Sequence, residues 1–201
     1  MAGLLSNFRN TMIVSFILAI ILIAGYASHN GSVDAIFWQG AFRWLHTFFG
    51  ILWIGLLYYF NFVQIRKMPE IPAELKPAVS KYIAPEALFW FRWAALATWV
   101  MGVILAFNRG YLVQAITLGA LDGFTVPQHT FIGVGMWLAT IMFINVWGVI
   151  WPNQKIALGI KEADADAKAA AGRKAMLFSR INTLLSVPML VTMTMNQTIF
   201  G

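Results

Sequence analysis

The stretch that decides the fold is FWQGAFRWLHTFFGILWIGLLYYFNFVQI, residues 37–65. It is apolar almost throughout, and its only charged or imidazole side chains are Arg43 and His46. A helix of about 20 apolar residues, rising 1.5 Å per residue, crosses the hydrocarbon core of a bilayer. This stretch exceeds that length, and we therefore predict that it forms a transmembrane helix.

Four other apolar stretches are long enough to span a membrane. The predicted helices cover residues 11–27, 37–65, 87–107, 127–151 and 176–199. The chain has 201 residues, of which 60% are hydrophobic and 11% charged, a composition that excludes an ordinary soluble domain. We predict a single all-α integral membrane domain, residues 1–201, whose last four helices form a bundle. The first stretch superficially resembles a secretion signal, but it is long for one, so we expect it to be retained as a helix.

Positive charges mark the connections rather than one face of the protein. The net charge is +6, yet the basic residues alternate with the apolar stretches in a way that indicates topology and not nucleic-acid binding. The side expected to face the cytoplasm carries Arg9, Arg66, Lys67, Lys76, Lys81, Lys155, Lys161, Lys168, Arg173 and Lys174. The opposite side has chiefly Arg43 and Arg109. We predict a bacterial inner-membrane protein with a cytoplasmic N-terminus and a periplasmic C-terminus.

An internal repeat places two histidines at matching positions. The stretch HTFFG at residues 46–50 returns as HTFIG at residues 129–133, and a tryptophan and then an asparagine follow at nearly equal distances in each copy. A repeat of this kind predicts two similar helical hairpins related by an axis along the membrane normal. His46 and His129 would then face each other across one cavity, about 30 Å from the cytoplasmic boundary.

Two imidazoles on facing helices can hold a b-type haem between them. Gly50 and Gly133, one helical turn after the histidines, would leave space for the macrocycle, and Arg43 would pair with a propionate. The predicted aromatic walls are Phe49, Trp53, Phe131 and Trp137. Since the chain has no cysteine, any haem here is held without covalent attachment and no thiolate metal site exists.

Other interpretations of the histidines stay open. Both rings could lie at the membrane interface and bind water, and the glycines could serve close helix packing alone. Copper is less well supported, because two imidazoles without a third histidine or a methionine motif provide few ligands for a copper ion. No phosphate-binding loop, catalytic triad or zinc spacing is present, which weighs against hydrolases and kinases.

Several motifs resemble a known family. RWLH at residues 43–46, ILWIG at 51–55, WAALATW at 93–99 and PNQK at 152–155 resemble the membrane domain of bacterial cytochrome c-linked urate hydroxylases. More loosely, the histidine and Trp-x-Gly patterns are similar to membrane proteins of the protoporphyrinogen oxidase type and to copper-export domains. Members of that family carry a longer membrane part and a C-terminal cytochrome c domain. Residues 1–201 contain no motif for covalent haem attachment.

The resemblance implies a membrane redox protein that exchanges electrons with cytochrome c or a quinone, with urate hydroxylase-like oxidoreductase activity. The alternative is a non-catalytic subunit of a larger respiratory or photosynthetic complex. A transporter is third, since buried acidic residues are lacking. Expected partners are the lipid bilayer and a cytochrome c or larger membrane complex, with no nucleic acid.

Overall fold

The chain is helical, as the sequence predicts. The computed structural model describes residues 2–30 and 32–200, with the side chain of Asn30 excepted. Within those residues the helices are α1 (Ala2–Leu5), α2 (Phe8–Asn30), α3 (Ala35–Glu70), α4 (Lys76–Asn108), α5 (Leu112–Ile116), α6 (Pro127–Ala157) and α7 (Ala165–Phe200). Five of these, α2, α3, α4, α6 and α7, are long and apolar enough to cross a membrane. The predicted all-α membrane fold with five spans is confirmed.

The long helices extend beyond the apolar stretches that predict them. α4 begins at Lys76, and Pro77 lies in its first turn, where a missing N–H leaves no bond unmade. Pro85 follows the π-helical segment Val79–Ile83 within the helix. α7 begins at Ala165, since its alanine-rich first turns favour helix without being apolar enough to count as a span. Both regions were expected to be connections, so apolar length alone underestimates these helices.

The chain divides into two compact units, Met1–Ala41 and Phe42–Gly201. The first contains α1, α2 and the opening residues of α3. None of the described side chains of α2, residues 8–29, is buried, and its large apolar side chains, such as Ile17, Leu18 and Leu22, are exposed. A helix that is apolar on every side suits a lipid environment.

The second unit contains the hydrophobic core. Its largest fully buried side chains include Trp53 and Leu57 from α3, Phe91 from α4, and Met142 and Val146 from α6. The rings of Phe60 and Phe91 meet edge to face, with centroids 5.6 Å apart. Aromatic and aliphatic packing between three helices therefore holds the centre of this unit together.

α7 presents its polar face to the protein and its apolar face outward. Its buried residues are Ala171, Ala175, Ser179, Asn182, Ser186, Met189, Thr192 and Asn196. Leu184, Val187 and Val191 are exposed. This pattern has the period of a helix, so the least hydrophobic of the five spans packs against the protein through its polar side. Small and polar residues allow close helix approach and hydrogen bonding within a membrane.

Two π-helical segments, Tyr59–Gln64 in α3 and Asn145–Ile150 in α6, carry the two asparagines of the repeat. Asn61 donates from Nδ2 to Ser179 Oγ at 2.8 Å, and Asn145 donates from Nδ2 to Asn182 Oδ1 at 2.9 Å. Asn182 in turn donates to the main-chain oxygen of Met142 at 2.9 Å. The repeated asparagines therefore both fasten their helices to α7.

Candidate functional site

A cavity of about 450 Å³ lies inside the second unit, between α3, α4, α6 and α7. Cofactor and small-molecule sites are usually concave, mostly apolar and about 300–1,000 Å³ in volume. Most of this lining is apolar. The polar and charged exceptions are Arg43, His46, Thr47, Thr98, Arg109, Tyr111, Thr140, Thr194, Asn196 and Gln197. We take this cavity as the candidate site.

His46 lines the cavity and is held in one orientation. Its Nδ1 lies 2.9 Å from the main-chain oxygen of Thr98 in α4. A carbonyl oxygen only accepts hydrogen bonds, so Nδ1 carries the proton and Nε2 of the neutral ring keeps its lone pair. Histidines that ligate metals are commonly oriented in this way, by a hydrogen bond from the nitrogen that does not bind the metal.

Gly102, which also lines the cavity, makes the position of the His46 ring possible. A Cβ atom at Gly102 would lie 2.9 Å from Cε1 and 3.0 Å from Nδ1 of His46. Real Cβ atoms do not approach ring atoms so closely. The imidazole therefore packs directly on the backbone of α4, where any other residue would displace it.

Two arginines and a tyrosine contribute to the lining, and we call these three residues the mouth: Arg43, Arg109 and Tyr111. The Arg109 guanidinium carbon lies 6.0 Å from the centroid of the Tyr111 ring. Burial raises the pKa of the Tyr111 phenol, and the positive charges of Arg109 and Arg43 act in the opposite direction. Both guanidinium groups therefore lie within electrostatic reach of this hydroxyl.

Three lining residues carry a buried polar atom without a hydrogen-bond partner: Nε of Arg43, Nε1 of Trp53 and Oδ1 of Asn196. Trp53 is only 1% exposed and Asn196 only 4%. A buried donor or acceptor left unpaired costs about 1–3 kcal/mol, and such atoms are rare in folded proteins. Two further unpaired atoms, Oδ1 of Asn61 and Oε1 of Gln64, belong to residues that do not line the cavity, so three of these five polar atoms lie on residues of the lining.

His129 is placed differently from His46. Its Nδ1 lies 2.5 Å from Oδ2 of Asp122, and its ring centroid is 6.5 Å from that of Tyr111. Tyr111 lines the cavity, whereas His129 is not among the lining residues. The expectation that both imidazoles line one cavity is thus met for His46 alone. The reason is local, because Asp122 in the connection before α6 binds the His129 ring.

The two glycines of the repeat also differ in their surroundings. Gly50 lines the cavity, and a Cβ there would make only an ordinary contact, 3.7 Å from Cγ2 of Thr98. Gly133 is buried against α5, where a Cβ would collide with the main-chain oxygen of Ala115. Gly133 therefore serves helix packing in this structure, and Gly50 is the glycine of this pair that lines the cavity.

The predicted aromatic walls are present only in part. Trp53 lines the cavity, while Phe49, Phe131 and Trp137 do not. Trp137 is 45% exposed and donates from Nε1 to the main-chain oxygen of Ile116 at 2.9 Å. The two copies of the repeat therefore have different surroundings, because Trp137 of the second copy contacts the short helix α5.

Several residues of the cavity lining could not be identified from the sequence. Gly102 and Asn196 have no motif around them, and Arg109 and Tyr111 lie in a connection whose conformation the sequence leaves ambiguous. One available signal was charge, since Arg43 and Arg109 are the chief basic residues on their side of the membrane. Among residues 2–30 and 32–200, no three histidine, aspartate or glutamate side chains gather as a metal-binding group.

Comparison with known proteins gives one match. No curated protein and no solved structure matches the chain. The model of a family described as "Urate oxidase N-terminal" matches residues 111–200, which contain Tyr111 of the mouth, α5, α6 and α7. This matched part of the chain contains all the lining residues that come from α6 and α7. The predicted resemblance is thereby confirmed for residues 111–200, which are similar to the urate oxidase N-terminal family.

Proposed function

We propose that this membrane domain is a redox protein that binds one b-type haem in the cavity, with Nε2 of His46 as an axial ligand. The observation that carries the proposal is the fixed His46 ring, whose Nδ1–H is committed to Thr98 in α4. Imidazole is the usual nitrogen ligand of haem iron, and this tautomer leaves the other nitrogen available.

The residues present fit a haem. The lining is largely apolar, as a macrocycle requires, and three glycines, Gly50, Gly55 and Gly102, reduce the side-chain volume around it. The unpaired Nε of Arg43 is a donor suited to a propionate at the mouth. A haem bound here would supply one-electron redox chemistry. The protein would supply its ligand, its orientation and an environment that excludes bulk water.

Two residue types could hold the iron together with His46. In the symmetrical arrangement, predicted from the repeat, His129 would be the second ligand, although its ring does not line the cavity. In the other arrangement a methionine would be the second ligand, since Met136, Met189 and Met193 all line the cavity. Methionine ligation raises the reduction potential relative to a pair of histidines. The contact between His129 and Asp122 favours the second arrangement.

The proposed orientation follows from the basic connections. With the lysine-rich loops inside, the N-terminus is cytoplasmic, the mouth faces the periplasm, and the membrane is the bacterial inner membrane. A haem near the mouth would be within reach of a periplasmic cytochrome c, and a quinone would approach from the bilayer. The oxidation of a small organic substrate of the urate hydroxylase type belongs to the same proposal.

The test is the absorption spectrum of the chain purified after expression with ample haem. Wild type, His46→Ala and His129→Ala are compared at equal protein concentration. We expect a Soret band and a sharp reduced α band in wild type, and loss of both in His46→Ala. If His129 is the second ligand, its variant also loses the low-spin bands; if a methionine is, the His129→Ala spectrum is unchanged.

An unpigmented wild-type protein would refute haem binding. In that case, co-purification in fixed stoichiometry with a larger respiratory or photosynthetic complex would favour the non-catalytic subunit. A low-spin spectrum of His46→Ala that equals that of wild type would refute the assignment of His46 while leaving haem binding itself in place.

A further inference from the structure

The mouth of the cavity holds two guanidinium groups and lacks an opposing carboxylate. Within the part of the chain that the structure describes, neither Arg43 nor Arg109 takes part in an ion pair, and the Nε of Arg43 has no partner at all. The acidic residue of the neighbouring connection, Asp122, is bound to His129. No acidic residue lines the cavity.

Two positive charges beside one cavity repel each other, and an anion bound between them would remove that repulsion. Arg43, Arg109 and Tyr111 line the same cavity, and the Arg109 guanidinium carbon lies 6.0 Å from the centroid of the Tyr111 ring. A guanidinium fork matches the two oxygens of a carboxylate, and charge-assisted hydrogen bonds of this kind are stronger than neutral ones. The rest of the lining is mostly apolar and includes the aromatic rings of Trp53 and Trp99.

We propose that Arg43, Arg109 and Tyr111 form an anion-binding site whose ligand is the carboxylate of a molecule with a planar apolar body that enters the cavity. The guanidinium groups bind the charge, and the apolar lining accepts the ring. This site depends on the cavity and the two arginines, and it does not require that haem be bound. The carboxylate could belong to a porphyrin or to a free organic acid, and the experiment separates these sources.

The first arm uses the full chain as purified in detergent, with benzoate as the probe and benzamide as its neutral counterpart. Binding is followed by titration calorimetry at low and high salt. We expect wild type to bind benzoate at least about tenfold more tightly than benzamide, with an affinity that falls as salt rises. This comparison needs no variant, so it remains decisive even if a substitution impairs folding.

The second arm uses variants. Arg43→Gln and Arg109→Gln should each weaken benzoate binding by roughly tenfold, and the double variant should abolish the preference over benzamide. Arg180→Gln is the matched control, because Arg180 is exposed on α7 and does not line the cavity. Wild-type benzoate binding in the double variant, or equal binding of benzoate and benzamide by wild type, would overturn the proposal.

The third arm identifies the source of the carboxylate with hemin and its dimethyl ester. If the site holds porphyrin carboxylates, hemin displaces benzoate and the ester binds more weakly than hemin. If it holds a free organic acid, the haem-loaded protein still binds benzoate. Failure of the haem proposal leaves this result intact, since an unpigmented protein that binds benzoate through Arg43 and Arg109 would support the anion site alone.

Discussion

Nδ1 of His46 lies 2.9 Å from the main-chain oxygen of Thr98, so a hydrogen bond between two helices fixes which ring nitrogen keeps its lone pair. The bond uses the backbone of α4 and not the threonine side chain, whose hydroxyl donates to Ala94 at 2.7 Å. The orientation of His46 is therefore a property of helix packing, and it depends on how closely α3 and α4 approach each other.

Replacement of Gly102 by alanine should disrupt this approach. The added Cβ would lie 2.9 Å from the His46 ring, so the ring must rotate or α4 must shift. We expect haem content to fall several-fold, measured by pyridine haemochrome per mole of protein. Gly148→Ala is the matched control, because its Cβ would meet nothing closer than 4.0 Å and should leave haem content unchanged. Full haem retention in Gly102→Ala would contradict this role.

Replacement of Gly133 by alanine should instead affect stability. Its Cβ would collide with the main-chain oxygen of Ala115 and lie 3.2 Å from Cδ2 of Leu118, which forces α5 away from α6. Overpacking of this kind costs about 1–3 kcal/mol, more than the helical preference of alanine over glycine recovers. Thermal unfolding in detergent should show a lower Tm than wild type. A Tm at or above the wild-type value would show that α5 is not tightly packed.

The buried contact between Asn145 and Asn182 should couple α6 to α7. Asn182 is fully buried and donates its second hydrogen bond to Met142. We expect Asn145→Ala and Asn182→Ala each to lower the free energy of unfolding. The loss in the double variant should be smaller than the sum of the two single losses by about 1 kcal/mol. A double-mutant cycle of unfolding free energies measures this coupling. Strict additivity would mean that the two side chains act independently.

Replacement of Asp122 by asparagine tests what the carboxylate does for His129. Asparagine keeps a hydrogen-bond acceptor beside Nδ1 but removes the negative charge. Because His129 does not line the cavity, haem content and the Soret maximum should stay at wild-type values. A shifted Soret band in this variant would instead indicate that His129 is a ligand supported by Asp122.

The number and type of helices could be predicted from the sequence because apolar length is set by bilayer thickness. Helix ends could not, since Lys76–Asn108 and Ala165–Phe200 begin in polar or proline-containing turns whose helicity depends on propensity. The inward position of α7 was also predictable, because a helix rich in asparagine, serine and threonine is stable in a membrane only where those groups find partners.

Among the predicted site residues, the sequence correctly placed at the cavity those around His46, but not those around His129. His46 and Gly50 of the first copy line the cavity as expected, and so does Arg43, which was expected beside His46. His129 and Gly133 occupy the matching positions of the second copy but pack against Asp122 and α5, respectively. Both contacts come from the connection that precedes α6, which contains α5 and Asp122. A repeat in sequence predicts matching backbone, and the contacts of each copy depend on what the rest of the chain places beside it.

The most direct test of the central claim is the spectrum of His46→Ala with and without added imidazole. If Nε2 of His46 binds the iron, the variant loses the low-spin Soret and α bands of wild type, and free imidazole restores them by occupying the vacated position. A variant whose spectrum equals that of wild type before imidazole is added would contradict the account.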